Sequence, residues 1–189
     1  MTKDPRIIKS QRDIQAAFIT LLNQKDFTAI TIQDICNEAL ISRSTFYSHY
    51  LDKYDLLEQI IDKTLINFEM LFQEKYDVNT SPAYFHTFLE DIYQLYQEQR
   101  ELLTALIRTP FPEQASFSIR FKGLCRDYAQ LLLTGLAQPS YPTELLTNLF
   151  TENIFCLMTW TLEHGPSEQV TQLAKDLHRH FLELIDSTK

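Results

Sequence analysis

Residues 31–55, TIQDICNEALISRSTFYSHYLDKYD, restrict the possible folds more than any other stretch of the chain. Thr31 and Asp34 stand three apart, the spacing of a capping box that satisfies free backbone donors at a helix start, and Ser42 can cap a second start. Ile32, Ile35, Cys36, Ala39, Ile41 and Phe46 recur at roughly helical spacing, leaving Arg43, Ser44, Thr45, Ser48 and His49 as a polar surface. Two helices of eight or nine residues do not persist alone, because nucleating a helix costs more than so few hydrogen bonds return. They need a third helix to bury their shared face, and this requirement points to a helix-turn-helix.

That third helix is expected over residues 6–23, with Ile7, Ile14, Ala17, Phe18, Leu21 and Leu22 on one face and Lys3, Arg6, Lys9 and Arg12 turned away from it. After Leu51, Asp52 and Asp55 offer another capping box, opening a long helix over 53–76. A break at 77–81 precedes Pro82, which suits a first helical turn, and the helix after it carries Phe85, Phe88, Leu89, Ile92 and Leu95 or Tyr96. Further helices are expected at 101–109, 113–137, 142–163 and from Ser167 onward, punctuated by Pro110, Pro112, QPSYP at 138–142 and Gly165-Pro166. Gly123 and Gly135 are tolerated inside the 113–137 helix at about 1 kcal/mol each relative to Ala. The fold class is therefore all-α, with a helix-turn-helix domain at 1–52 and a helical regulatory and dimerisation domain at 53–189. The segment at 142–163 is apolar on more than one side, so it either lies in the middle of its own domain or is covered by a second copy of the chain.

A net charge of −8 argues against nucleic-acid binding only until it is divided along the chain. Residues 1–60 carry a net of −1 and residues 61–189 a net of −7. A local positive footprint from Lys3, Arg6, Lys9, Arg12, Arg43 and Lys53 is enough for a duplex backbone. The three cysteines, 36, 125 and 156, are too dispersed for a CxxC site and odd in number, which favours a reducing compartment. No apolar run reaches membrane-spanning length and no leader pattern opens the chain, so a cytoplasmic location without membrane contact is expected. His178 and His180 are two apart and cannot share a helical face, so no metal is expected. No Ser/His/Asp or Cys/His spacing suits catalysis and no glycine-rich loop could cradle a phosphate, so neither an enzyme nor a cofactor site is indicated.

A helix docked by its first turn presents that turn to base edges in the major groove, so Arg43, Ser44 and Thr45 are the expected base readers. Tyr47, His49, Lys53 and Thr31 suit phosphate contacts, Thr31 because uncompensated amides surround it. The competing reading is a helical protein-interaction module with a solvated polar face and partly buried Tyr47 and His49. The rings Phe88, Tyr93, Tyr96, Phe117, Phe121, Tyr128 and Trp160 are either plain core or the lining of a pocket.

The segment 28–57, TAITIQDICNEALISRSTFYSHYLDKYDLL, resembles the N-terminal region of the TetR family of bacterial transcription regulators. The resemblance rests on Thr31, Ile35-Cys36, Ala39, Ile41-Ser42, the triplet at 43–45, Phe46-Tyr47, His49-Tyr50, Lys53 and Leu56-Leu57, and it extends back through the first helix. It implies phosphate contacts by Thr31, Tyr47, His49 and Lys53 and base reading by Arg43, Ser44 and Thr45. It also implies an all-helical homodimer that binds double-stranded operator DNA, usually a repressor released by a small-molecule effector. Leu40 departs from the pattern, for many relatives have Gly in that turn. If the turn needs a positive φ, Leu would be strained by about 1 kcal/mol or more. Residues 149–165 resemble the penultimate helix of a subgroup that pairs through a four-helix bundle. This places Phe150, Ile154, Met158, Trp160, Leu162, Leu173, Leu177 and Phe181 at or near the subunit interface.

Overall fold

The computed structural model describes residues 4–74, 94–110, 115–134 and 141–185. Among these the chain is all-helical. It divides into two compact units, Met1–Thr64 with Glu101–Phe117, and Leu65–Arg100 with Ser118–Lys189.

The first unit begins with α1 (Pro5–Gln24), started by Pro5 and by the Asp4 carboxylate accepting from the Arg6 amide at 2.9 Å. Burial in α1 starts only at Ile14 and continues through Ala17, Phe18, Leu21 and Leu22. Ile7, expected on the inner face, is exposed together with Ile8, because neither of the first two turns of α1 is buried. A 3₁₀ turn (Phe27–Ala29) leads to α2 (Ile32–Glu38) and α3 (Arg43–Tyr47). Phe18, Phe27, Ile30, Ile35, Phe46 and Tyr50 fill the space these elements enclose, with Leu56, Leu57 and Ile60 from α4 (Lys53–Glu74). Gln15 donates to the Tyr50 hydroxyl at 3.2 Å, so the one polar atom of that ring is satisfied. The α5 helix (Arg100–Arg108) contributes Leu103, Ala105 and Leu106 to the buried set, and Asn23 of α1 donates to the Glu101 carbonyl at 3.0 Å.

In the second unit α6 (Phe117–Thr134) starts four residues later than the sequence suggests, and α7 (Thr143–His164) and α8 (Glu168–Ile185) follow. Its interior is built from rings: Phe68 lies 4.9 Å from Phe121, Phe72 4.9 Å from Tyr128, and Phe150 5.1 Å from Phe181. The α7 helix stops at Gly165, which has φ +86°, a value that L side chains rarely adopt. Arg100 reaches its free C-terminal carbonyls, donating from Nε to Leu162 at 3.0 Å, where a cation also complements the helix dipole. No described helix is long and apolar enough to cross a membrane. Of the expected helix after Pro82, the part with Phe85, Phe88, Leu89 and Ile92 lies outside the described residues, as do Tyr93 and Gly135, while residues 94–98 are helical and Tyr96 is buried.

Candidate nucleic-acid interface

The surface that could meet a duplex is set by two helix starts. At α2 both halves of the capping box form: Asp34 donates its amide to the Thr31 hydroxyl at 3.1 Å, and the Asp34 carboxylate accepts from the Thr31 amide at 2.9 Å. Lys25 closes on the same carboxylate at 2.9 Å. The Lys25 ammonium and the Thr31 donors hold the Asp34 carboxyl down to about 2, well under its ordinary value. At α3 the Ser42 hydroxyl accepts from the Thr45 amide at 3.1 Å and lies within 2.8 Å and 2.9 Å of the Ser44 and Thr45 hydroxyls. The start of α3 therefore carries three linked hydroxyls, from Ser42, Ser44 and Thr45, on the same turn as the exposed Arg43.

The turn between these helices carries the one backbone anomaly of the motif. Leu40 has φ 54°, and its side chain is 91% exposed. The Ile41 amide bonds back to the Cys36 carbonyl at 3.0 Å and the Leu40 amide to Asn37 at 3.2 Å, an arrangement that closes a helix only when the residue at Leu40 is left-handed. The turn takes a positive φ, the condition under which Leu40 is expected to be strained, and a β-carbon occupies a conformation that favours glycine.

Arg43, Ser44 and Tyr47 are exposed and Thr45 is half-buried, so all three expected base readers sit on an accessible turn. Tyr47 is 54% exposed and rests edge-on against the buried Phe46 ring at 5.6 Å. The α3 helix, expected to run eight or nine residues, spans five and ends at Tyr47. Ser48 turns its hydroxyl back to the Thr45 carbonyl at 2.7 Å, and the His49 and Tyr50 amides both bond to Phe46. Half-buried His49 has Nε2 2.7 Å from the Ser10 hydroxyl of α1, so α1 orients the ring.

The start of α4 combines two caps differently from the expected pairing. Asp52 accepts from the Tyr54 and Asp55 amides, whereas Asp55 reaches one residue further back, to the Leu51 amide at 2.8 Å. Lys53 donates to the carbonyls of Phe27 (2.8 Å), Thr28 (3.2 Å) and Ile30 (2.7 Å), with its ammonium 4.7 Å from the Phe27 ring centre. Sequence spacing marks Lys53 as a cation near the helix start but carries no sign of these long-range partners.

This geometry has known counterparts. The family description "Bacterial regulatory proteins, tetR family" matches residues 14–60. Over these residues the chain is similar to that family. A curated relative, the uncharacterised HTH-type transcriptional regulator YxbF of Bacillus subtilis strain 168, is 39% identical over 62 residues, a match spanning 32% of this chain and 16% of that protein. The fold extends beyond the TetR N-terminal region. A TetR transcriptional regulator from Streptococcus agalactiae 2603V superposes with TM-score 0.63 at 24% identity, covering 97% of both chains. NalD of Pseudomonas aeruginosa, described as the secondary repressor of the MexAB-OprM multidrug efflux pump, superposes with TM-score 0.70 at 17% identity over 95% of this chain and 97% of its own. Identities this low carry the TetR fold alone.

The remaining sequence-marked residues divide between core and surface. Tyr96, Phe117, Phe121 and Tyr128 are buried, and Trp160 stacks on His164 with ring centres 4.5 Å apart. Phe88 and Tyr93 lie outside the described residues. A cavity of about 330 Å3 is lined by Phe72, Leu124, Tyr128 and Leu131, with Glu69, Gln73 and Asp127 at its rim; of the expected pocket rings it includes Tyr128. Phe150, Ile154, Met158, Leu162 and Phe181 are buried within the protomer, while Leu173 and Leu177 are 50% and 39% exposed. Leu145, Leu149 and Trp160 of α7 are exposed as well. Spacing alone could not assign these faces, since α7 is apolar over most of its circumference.

Proposed function

We propose that this chain is a sequence-specific DNA-binding transcriptional regulator, a repressor released by a small-molecule effector, and that it acts as a homodimer. The observation that carries this reading is the first turn of α3, where Arg43 and Ser44 are exposed and Thr45 half-exposed on a start held by Ser42. Arg43 is the base reader with the most to give, since a guanidinium can meet a guanine edge with two hydrogen bonds, worth about 1–3 kcal/mol of discrimination. Thr31, Tyr47 and His49 flank that turn as phosphate contacts. Lys53, the fourth residue of the set, turns its ammonium to backbone carbonyls instead.

Pairing through α7 and α8 brings two reading turns to two half-sites. Within the protomer Leu145, Leu149, Leu173 and Leu177 supply the exposed apolar surface for this contact, with Trp160 beside them. The inward residues Phe150, Ile154, Met158, Leu162 and Phe181 then support the interface from beneath. The effector site is assigned to the cavity beside Phe72 and Tyr128. Its apolar floor and its two rim carboxylates, Glu69 and Asp127, suit an apolar molecule with a cationic group. Such a ligand releases DNA only by binding the DNA-incompetent state better than the competent one.

The test is selection of bound duplexes from a fragmented genomic pool, repeated with Arg43→Ala and Tyr47→Ala combined. Loss of enrichment with an intact folded dimer is expected. Unchanged enrichment would favour the protein-interaction module instead. Leu149→Arg together with Leu173→Arg is expected to convert the dimer to monomer in sedimentation, and an unaltered dimer would place the interface elsewhere.

A further inference from the structure

Lys53 occupies the first residue of α4, yet its side chain serves the start of α2. An ammonium has three hydrogens. The three carbonyls of Phe27, Thr28 and Ile30, at 2.8, 3.2 and 2.7 Å, use all of them. The aromatic ring of Phe27, 4.7 Å away, and that of Tyr54, 5.7 Å away, further stabilise the cation. The residue is half-buried, and turning its head toward a phosphate would leave three carbonyls without this donor.

The Ile30 carbonyl belongs to the same peptide unit as the Thr31 amide. Lys53 holds the oxygen of that unit at 2.7 Å, and Asp34 holds its N–H at 2.9 Å, with Asp34 itself fixed by Lys25. The peptide plane that leads into α2 is thus gripped from both sides. One grip comes from the first residue of α4 and the other from the capping box.

We propose that Lys53 contributes to DNA binding as a positioning residue, a strap that fixes the 30–31 peptide and with it the phosphate-facing start of α2, and not as a phosphate contact. The inference rests on the DNA-binding reading above. It also gives α4 a direct means of acting on α2: a displacement of the first turn of α4 pulls on the carbonyl that sets the orientation of Thr31.

Salt dependence separates the two roles. A lysine that neutralises a phosphate releases a counterion, so removing it flattens the plot of log affinity against log salt by about 0.9 per contact. A strap contributes no released ion. The experiment takes a duplex selected by the unmodified full-length chain from a random pool and measures its affinity between 50 and 300 mM salt, at about five concentrations, for the unmodified chain, Lys53→Met, Asp34→Asn and the double variant. Methionine keeps an apolar stem over Phe27 and removes every donor. Lys53→Met is expected to weaken binding about tenfold or more with an unchanged slope, about 1.4 kcal/mol. Asp34→Asn should weaken binding with the same unchanged slope, and the double variant should lose less than the sum of the two, because both act on one peptide. A slope flattened by about 0.9 per subunit in Lys53→Met, or unchanged affinity in it, would overturn the proposal. If Lys53→Met does not fold, Lys53→Gln, which retains an amide donor, takes its place: partial recovery with unchanged slope supports the strap and a flattened slope refutes it. Failure of the unmodified chain to select any duplex would end the DNA-binding reading itself, and this inference with it.

Discussion

Replacing Leu40 by glycine should stabilise the protein, although it removes a large apolar side chain. Leu40 sits at φ 54°, where a β-carbon crowds the carbonyl oxygen at a cost of about 1–2 kcal/mol. Glycine removes that cost. Against the gain stands the greater freedom of glycine in the unfolded chain, about 0.4–1 kcal/mol. The side chain itself offers little, since 91% of the residue is exposed. Full burial of a leucine is worth about 1.5–3 kcal/mol, so the remaining contact amounts to about 0.2 kcal/mol. The balance favours Leu40→Gly by about 0.5 kcal/mol, a shift of about 1–2 °C for a chain of this length. Leu40→Ala is the control, because alanine keeps the β-carbon and therefore the strain. The assay is urea unfolding followed by circular dichroism, with the three proteins compared at a common slope. The order expected is Gly above Leu and Leu close to Ala. Should Leu40→Ala prove more stable than Leu40→Gly, the account of this turn would be wrong, since only a left-handed requirement ranks glycine above alanine at an exposed position.

The opposite ranking is expected at Gly123, in the middle of α6, where an added β-carbon meets nothing within 4 Å: Gly123→Ala should raise the unfolding free energy by about 0.5–1 kcal/mol in the same assay. The Asp34 carboxyl, held at about 2 in the folded chain against an ordinary 3.8, contributes stability that is present above about pH 4 and lost as pH falls toward 2. Asp34→Asn should flatten the stability profile in that window, which acid titration at fixed urea would register, and an unchanged profile would deny the Lys25 and Thr31 contacts their effect. Burial raises the thiols of Cys36 and Cys125 above their ordinary value, whereas Cys156 is exposed. A thiol reagent should modify Cys156 in the native chain and the other two only in denaturant, read by mass spectrometry; fast native labelling of Cys125 would contradict its burial.

What was legible in the residues follows a single physical rule. Interactions that close within about five residues are written into the chain order. The capping box of Thr31 and Asp34, the Ser42 cap and the stop at Gly165 all belong to this class. Helical spacing likewise defined an all-α chain, because 3.6-residue periodicity is a local property. The resemblance of residues 28–57 to the TetR pattern drew on the same local information, since its marks are caps, apolar positions and polar residues close together along the chain.

Tertiary packing decided the remainder. Ile7 carries the right period yet is exposed, and none of the first two turns of α1 is buried. In α7 nearly every face is apolar, so periodicity could not tell Phe150, Ile154 and Met158, which pack inward, from Leu145 and Leu149, which do not. Lys53 shows the division most sharply. Its position at a helix start is visible from Asp52 and Asp55, but its three carbonyl partners lie 23 to 26 residues away. Order along the chain specifies which groups can cap and which can pack, whereas the partners each one takes depend on which distant surfaces are brought together when the apolar faces are buried.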